Sequence, residues 1–213
     1  MDAEKINIYA ACDKAIRALD RLNLEAFGAL KMAKFDEINV IQTVLKMYRK
    51  SMKQARKRYY EVAYEAYLLA LSMVNGIDPK KSSKMVSQSI TVEWLDEILG
   101  QTDPLTLYRF DTETERKAYR LAEALEGSQD RDYEINKALR FWSQQLAQYA
   151  VNFTDYAVVK AFQDAGVKVV EWMSAMDEKV CNECHALDGQ RFLIEELPPK
   201  PHWGCRCRII PVK

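Results

Sequence analysis

The chain has 213 residues, and its 31 lysine and arginine residues balance its 31 aspartate and glutamate residues. This length allows one or two domains with a sizeable core, while the zero formal net charge argues against a protein that coats nucleic acid over its whole surface. No apolar run approaches the length of a membrane span, so we expect no membrane partner. The charged start, MDAEKINIYAACDK, lacks the apolar core of a signal peptide, which predicts a reducing compartment.

Helical periodicity begins near the first residue. Residues 2–24 predict a first helix, with Asp2 as its cap. Cys12 falls within the apolar pattern of this helix, and we interpret it as a small buried hydrophobe.

The clearest pattern covers residues 36–75, where apolar residues alternate spacings of three and four. This heptad seam predicts a helix of about 60 Å, at ~1.5 Å per residue, which Asn75-Gly76 ends. Tyrosine and alanine in the seam favour packing inside a helical bundle, and an intermolecular coiled coil is the alternative. The seam comprises Ile38, Ile41, Leu45, Tyr48, Met52, Ala55, Tyr59, Val62, Ala66, Leu69 and Met73.

The same helix carries a run of basic residues with no acid among them, between residues 46 and 58. Four of its lysines repeat at spacings of four, three and four, so they share one helix face. The run is either a solvated face or a surface that contacts phosphate or another polyanion. The candidate contact residues are Lys46, Arg49, Lys50, Lys53 and Lys57.

A broken region follows at residues 79–110, with a short helix predicted over Thr91–Leu99. Two further helices are predicted over residues 112–125 and 131–164, and Gly166 ends the second of them. The apolar stripe of this last helix, which we expect in the core, comprises Ile135, Leu139, Trp142, Leu146, Tyr149, Phe153 and Ala157.

The rest of the chain predicts a small sheet. Its strands are expected at Val167–Trp172, Arg191–Ile194 and Cys207–Val212. Leu187–Gln190 contains Asp-Gly, which favours a two-residue hairpin turn. The prolines in Leu197–Pro201 predict an extended connector, because proline interrupts both ladders and helices.

Six of the seven cysteine and histidine residues lie in this last part of the chain. Cys181 and Cys184 form a C-x2-C pair, and His202 and Cys205 form an H-x2-C pair. Two such pairs predict one closed, tetrahedral structural zinc site. Zinc binding would stabilise a segment that is too short to build its own core.

Other ligands and other chemistries are compatible with a cluster of cysteine and histidine residues. Cys207 lies two residues past Cys205, so it could replace Cys205 as a ligand or lie unligated beside it, and His185 is expected to point away. A reducing compartment disfavours disulfides, and no βαβ pattern supports a redox C-x2-C pair. The zinc deaminase pattern is absent, and most hydrolase schemes lack a base, so we expect no enzyme.

The segment VVEWMSAMDEKVCNECHALDGQRF, followed by PPKPHWGCRCRIIPV, resembles the C-terminal domain of phage head-morphogenesis proteins, the Mu F-like minor head proteins of tailed phages. It departs from the family pattern at Trp203-Gly204, where the family has proline and asparagine. Asn152–Asp155 stands where the family often carries an Arg-Thr-Glu run, so no role is carried over to it. The matching residues are Trp172, Asp177, Val180, Cys181, Cys184, Leu187, Gly189, Phe192, Pro199, His202, Cys205, Arg206 and Cys207.

The resemblance implies a minor capsid component, present in few copies and associated with the portal and the head interior, with no known enzymatic activity. We therefore expect a mainly α fold: a long-helix bundle over residues 1–166, then a small zinc-stapled β-rich domain over residues 167–213. The expected function is head morphogenesis in the virion, after assembly in the host cytoplasm, with a role in DNA packaging or ejection. Expected partners are portal and other head proteins, and DNA. The alternative is a non-phage, zinc-containing nucleic-acid-binding module that uses the basic helix face.

Overall fold

The computed structural model describes residues 7–32, 39–76, 89–100, 110–175, 180–202 and 204–212, without the side chains of residues 110–114. Several predictions fall outside these ranges. They are Asp2 as a helix cap, Ile38 in the seam, the loops within residues 79–110, and Asp177 among the matching residues.

The described residues are mostly helical, as the sequence predicts. The second to fifth helices lie within a few residues of their predicted positions, and no described helix combines the length and apolar character of a membrane span. The first helix ends at residue 31 rather than 24, because Phe27 and Leu30 extend its buried face. The helices are α1 Ala10–Lys31, α2 Val40–Asn75, α3 Val92–Gly100, α4 Phe110–Gly127, α5 Arg131–Asp164 and α6 Asn182–Leu187.

The chain divides into two compact units that do not follow the order of the sequence. The first unit comprises Met1–Asp13, Tyr60–Thr91 and Ala150–Lys213, and the second comprises Lys14–Tyr59 and Val92–Tyr149. Helices α1, α2 and α5 each contribute residues to both. Whether residues 167–213 form a domain of their own stays a prediction.

In the second unit, an aromatic cluster joins α1, α2 and α5. The Trp142 ring lies edge-on to Phe27, with 5.1 Å between ring centroids, and stacks on Tyr48 at 6.3 Å. The Tyr59 hydroxyl on α2 donates to the carbonyl oxygen of Leu146 on α5 at 3.1 Å. The seam of α2 thus packs against α5 of the same chain, as the bundle interpretation predicts. Its buried members are Leu45, Tyr48, Met52, Ala55, Tyr59, Val62, Ala66 and Met73.

In the first unit, α2 and α5 meet again near their C-terminal ends. The Tyr67 hydroxyl donates to Asp164 Oδ2 at 2.7 Å and lies 3.1 Å from Ser89 Oγ. Cys12 of α1 is fully buried, as predicted, and burial raises the pKa of its thiol to about 11.

Gly166 ends α5, as predicted, and turns the chain toward the sheet. Its φ of 74° lies in the left-handed region. Its N–H donates to Gln163 O at 3.0 Å, and the N–H of Val167 donates to Phe162 O at 2.9 Å. These two bonds form a Schellman motif, which satisfies carbonyls that the last helical turn would leave unpaired.

A three-stranded antiparallel sheet follows α5. The central strand β1, Val169–Met173, pairs with β2, Arg191–Leu193, on one side and with β3, Arg208–Pro211, on the other. Val170 and Trp172 point into the core from β1, which is the alternation expected of a half-buried strand. The three predicted strands are confirmed in position; β2 begins at Arg191 as predicted, and the other five boundaries shift by one or two residues.

The predicted Asp-Gly hairpin turn is wrong. The connection from β1 to β2 contains α6, and Asp188 is the C-terminal cap of that helix. Gly189 follows with a φ of 72°, the left-handed conformation that commonly ends a helix. Asp-Gly therefore serves as a helix exit rather than as a tight turn between two strands. Past β2, the chain forms a 3-10 helix at Ile194–Glu196 and then a connector with no helix or strand, in which Leu197 is extended.

Candidate metal centre

The first pair of candidate ligands lies at the N-terminus of α6. Cys181 is the N-cap residue, and its sulfur accepts a hydrogen bond from the backbone N–H of Cys184 at 3.3 Å. The N–H of His185 donates to Cys181 O at 2.9 Å. This turn places Cys181 and Cys184 on the same side, whereas the His185 side chain is exposed, as expected.

The second pair approaches from the segment that leads into β3. The N–H of Cys205 donates to His202 O at 3.3 Å, and Gly204 between them has a φ of 75°. This turn brings the His202 Nε2 atom to 3.3 Å from Cys184 Sγ, and Cys205 Sγ to 3.5 Å from the same sulfur.

Five donor atoms fall into two overlapping groups that share Cys184. One group is Cys181, Cys184 and His202, and the other is Cys184, Cys205 and Cys207; within each group, all donor atoms lie within 4.8 Å of one another. Zinc–sulfur bonds of ~2.3 Å in a tetrahedron separate two sulfurs by roughly 3.8 Å. Each of the four predicted ligands, and the alternative ligand Cys207, thus lies in a group whose spacings suit a metal ion. No single group holds all four predicted ligands, because Cys181 and His202 lie in one and Cys205 lies in the other.

Burial and hydrogen bonding shift the pKa values of these thiols in opposite directions. Burial, with the neighbouring sulfurs, raises the pKa of Cys184, and burial also raises the pKa of Cys205. By contrast, the hydrogen bond from the Cys184 N–H lowers the pKa of Cys181. Clustered thiolates repel one another unless a divalent cation offsets their charge. Since all five cysteines of the chain are free thiols, this donor set fits zinc.

A polar cluster that we did not predict from the sequence adjoins the second ligand pair. The Lys200 ammonium lies 2.9 Å from the Tyr9 hydroxyl, 3.3 Å from Asp155 Oδ2 and 3.5 Å from the Cys205 carbonyl oxygen, and it also donates to the Cys207 carbonyl. The Tyr9 hydroxyl in turn donates to Asp155 Oδ1 at 2.6 Å. No signal for this cluster is visible in the sequence, because Asp155 lies off the apolar stripe of α5, between Phe153 and Ala157.

The predicted basic stripe lies on α2 in the second unit. Its five candidate residues, Lys46, Arg49, Lys50, Lys53 and Lys57, are all exposed. Its neighbour Arg56 is partly buried and forms an ion pair with Asp96 of α3 at 3.1 Å. The geometry thus leaves the stripe accessible to a partner, and its role stays a prediction.

Comparison with known proteins identifies the family. Residues 105–210 match the family model described as phage Mu protein F like protein. This range includes α4, α5, β1, β2 and all five candidate metal donors, and it begins well before the C-terminal segment on which the sequence resemblance rests. No curated protein and no solved structure matches the chain. Through residues 105–210, the chain belongs to the family of phage Mu protein F like proteins.

Proposed function

We propose that this protein is a minor structural protein of the head of a tailed phage. It acts in head morphogenesis, associates with the portal and the head interior, and assembles in the host cytoplasm. The observation that carries the proposal is the family match over residues 105–210, because that family is one of phage head proteins and is not known for enzymes.

Proteomic analysis of purified particles tests this role directly. We expect the chain in mature virions and in DNA-free proheads, in fewer copies than the major capsid protein, and we expect it to co-purify with the portal protein. Its absence from both kinds of particle would refute a head role. If it also bound DNA, that absence would favour the alternative of a zinc-containing nucleic-acid-binding module unrelated to phage.

The candidate metal centre would act as a structural staple. Its four predicted ligands, Cys181, Cys184, His202 and Cys205, would fill all coordination positions, with Cys207 as the alternative to Cys205. The sheet has three short strands, and a bound ion would join the α6 turn to the segment that precedes β3. Metal-binding free energy would then contribute to folding.

Elemental analysis of the purified chain tests the staple, and we expect about one zinc per chain. Cys181→Ser should lose the metal and destabilise the sheet region. His185→Gln is the matched control, because His185 is exposed and lies outside both donor groups, so it should retain the metal. Metal-free protein with an unchanged thermal melt would contradict a structural zinc.

The basic stripe of α2 supplies a candidate surface for DNA or for an acidic portal surface. Five exposed cations on neighbouring turns of one helix would contact several phosphates, and each contact would release counterions. Such contacts would let the protein aid DNA packaging or ejection. The solvated-face interpretation predicts no binding at moderate salt.

A charge-matched pair of variants separates these interpretations. The stripe variant replaces Lys46, Lys50, Lys53 and Lys57 by Gln. The control replaces four exposed basic residues outside α2 by Gln: Lys14, Arg17, Arg120 and Arg140. If the stripe binds a polyanion, only the stripe variant should lose association with DNA or portal and show a flatter salt dependence. Equal losses in both variants would indicate only a general effect of net charge.

A further inference from the structure

We infer that Tyr9, Asp155 and Lys200 are positioning residues for the metal centre. Together they hold the backbone that carries Cys205 and Cys207, so that the N-terminal segment and α5 set the metal affinity of ligands at the other end of the chain. This inference rests on the proposed metal site and adds to it three residues that bind no metal themselves.

The first argument is the position of the Lys200 ammonium. A lysine ammonium offers three donors, and four oxygens surround this one: the carbonyls of Cys205 and Cys207, the Tyr9 hydroxyl and the Asp155 carboxylate. Two of these oxygens belong to the backbone of the ligand residues. Their placement therefore depends on where Lys200 is held.

The second argument is that Lys200 is itself held from outside the ligand segment. Its side chain is only 18% exposed and its partner Asp155 is 23% exposed, so both charges are largely removed from water and depend on each other. Tyr9 bridges them, since its hydroxyl accepts from Lys200 at 2.9 Å and donates to Asp155 at 2.6 Å. Removing any one of the three leaves the other two incompletely paired.

A second contact anchors the same segment to the N-terminal residues. Arg206, which lies between the two cysteines, pairs with Asp13 Oδ1 at 2.8 Å. Its guanidinium carbon also lies 5.0 Å from the centroid of the Tyr9 ring, within the range of a cation–π contact. Tyr9 thus contacts side chains on both sides of Cys205, which restricts how that residue can turn away from Cys184.

The third argument is charge. A set rich in cysteine carries more negative charge than one divalent ion neutralises, and the Lys200 ammonium lies beside the carbonyls of two of the thiol residues. A cation at this place stabilises the metal-bound form electrostatically, without being a ligand. Groups around a metal site that orient its ligands typically change metal affinity 10–100-fold when they are replaced.

The test measures zinc affinity of the full-length chain by competition with a chromophoric chelator, and the ligand-field spectrum of the cobalt(II) form. We expect Tyr9→Phe, Asp155→Asn and Lys200→Met each to weaken zinc binding by about 10-fold or more and to alter the cobalt spectrum. Lys200→Arg should restore most of the affinity. Arg191→Met is the matched control: it removes a cation that pairs with Glu171 at 3.0 Å on the exposed side of the same sheet, and should leave zinc affinity unchanged.

The outcomes separate this inference from the proposed metal site. A wild-type chain that binds no zinc overturns both. A wild-type chain that binds zinc, with unchanged affinity and cobalt spectrum in the three variants, overturns only the inference. Should Lys200→Met fail to fold, Tyr9→Phe decides, because it keeps the buried ring and removes one hydroxyl; unchanged zinc affinity in that variant alone refutes the positioning role.

Discussion

Tyr67→Phe should lower the free energy of unfolding by about 1.5 kcal/mol at neutral pH, since hydrogen bonds to charged groups contribute roughly 1.5–3 kcal/mol. Tyr67 is 1% exposed, and its hydroxyl lies 2.7 Å from Asp164 Oδ2. We expect the lower end of the range because the Asp164 side chain is 33% exposed and keeps Lys160 at 3.4 Å. The Asp164 carboxylate therefore keeps Lys160 and solvent as partners when the Tyr67 hydroxyl is removed.

The effect should depend on pH in both directions. Partial burial alone would raise the pKa of Asp164. Hydrogen bonds from Tyr67 and Ser89 and the charge of Lys160 outweigh burial and hold this pKa below its usual value. The stabilisation that the ionised Asp164 carboxylate provides is thus fully present above its unfolded pKa of about 3.9. It is lost as the pH falls through the lower pKa that Asp164 has in the folded protein. Burial raises the pKa of Tyr67 to about 12, so the contribution of its protonated hydroxyl is lost as pH rises from about 10 toward that value.

Urea unfolding of wild type and variant between acidic and alkaline pH measures this difference. Tyr60→Phe is the control, because Tyr60 lies on the same helix and its ring stacks on Tyr64 at 6.3 Å; we expect it to change stability by less than about 0.5 kcal/mol. A second check is Tyr67→Phe in an Asp164→Asn background, where the loss should shrink to that of a neutral hydrogen bond, about 1 kcal/mol or less. Equal effects of Tyr67→Phe and Tyr60→Phe at neutral pH would refute the reasoning.

Two further predictions concern the helices. Gly166→Ala should lower the free energy of unfolding by about 1 kcal/mol, because a Cβ is strained at a φ of 74°; Gly28→Ala, at an exposed position inside α1, should raise it by about 0.5–1 kcal/mol. Urea unfolding that gives the same sign for both would contradict this explanation. Trp142→Ala, which removes the ring between Phe27 and Tyr48, should lower the free energy of unfolding by about 3–5 kcal/mol. A loss of less than about 1 kcal/mol, measured by thermal unfolding, would refute a central packing role for this ring.

The long helices were predictable because their apolar spacing repeats over many turns. The end of α1 was missed for a local reason: Leu24 is 58% exposed, so the pattern breaks there before Phe27 and Leu30 resume it. Helix α6 was missed because six residues are too few to show a period. Its N-cap acceptor is a cysteine sulfur, whereas the usual N-cap residues carry side-chain oxygen, so no start signal was visible.

The candidate metal centre was likewise predictable in one part, its metal donors, and not in another, the residues that support them. The five donors were visible because cysteine and histidine are rare here and their spacing is local in the chain. The residues that support them were not visible, because Tyr9 and Lys200 are separated by 191 positions and neither belongs to a motif. The fold of the first unit brings the N-terminal residues, α5 and the ligand segment together, and a hydrogen-bond network of this kind leaves no periodic trace in a sequence.

The short outer strands of the sheet have a consequence for how copies of this chain meet. β2 has three residues before the backbone turns into the 3-10 helix, and β3 ends at Pro211, which has no N–H to donate. A neighbouring strand would therefore find few consecutive backbone groups to pair with, and short edges that contain proline are a known protection against edge-to-edge aggregation. The described edges of this sheet therefore offer little for a second copy of the chain to pair with through its backbone.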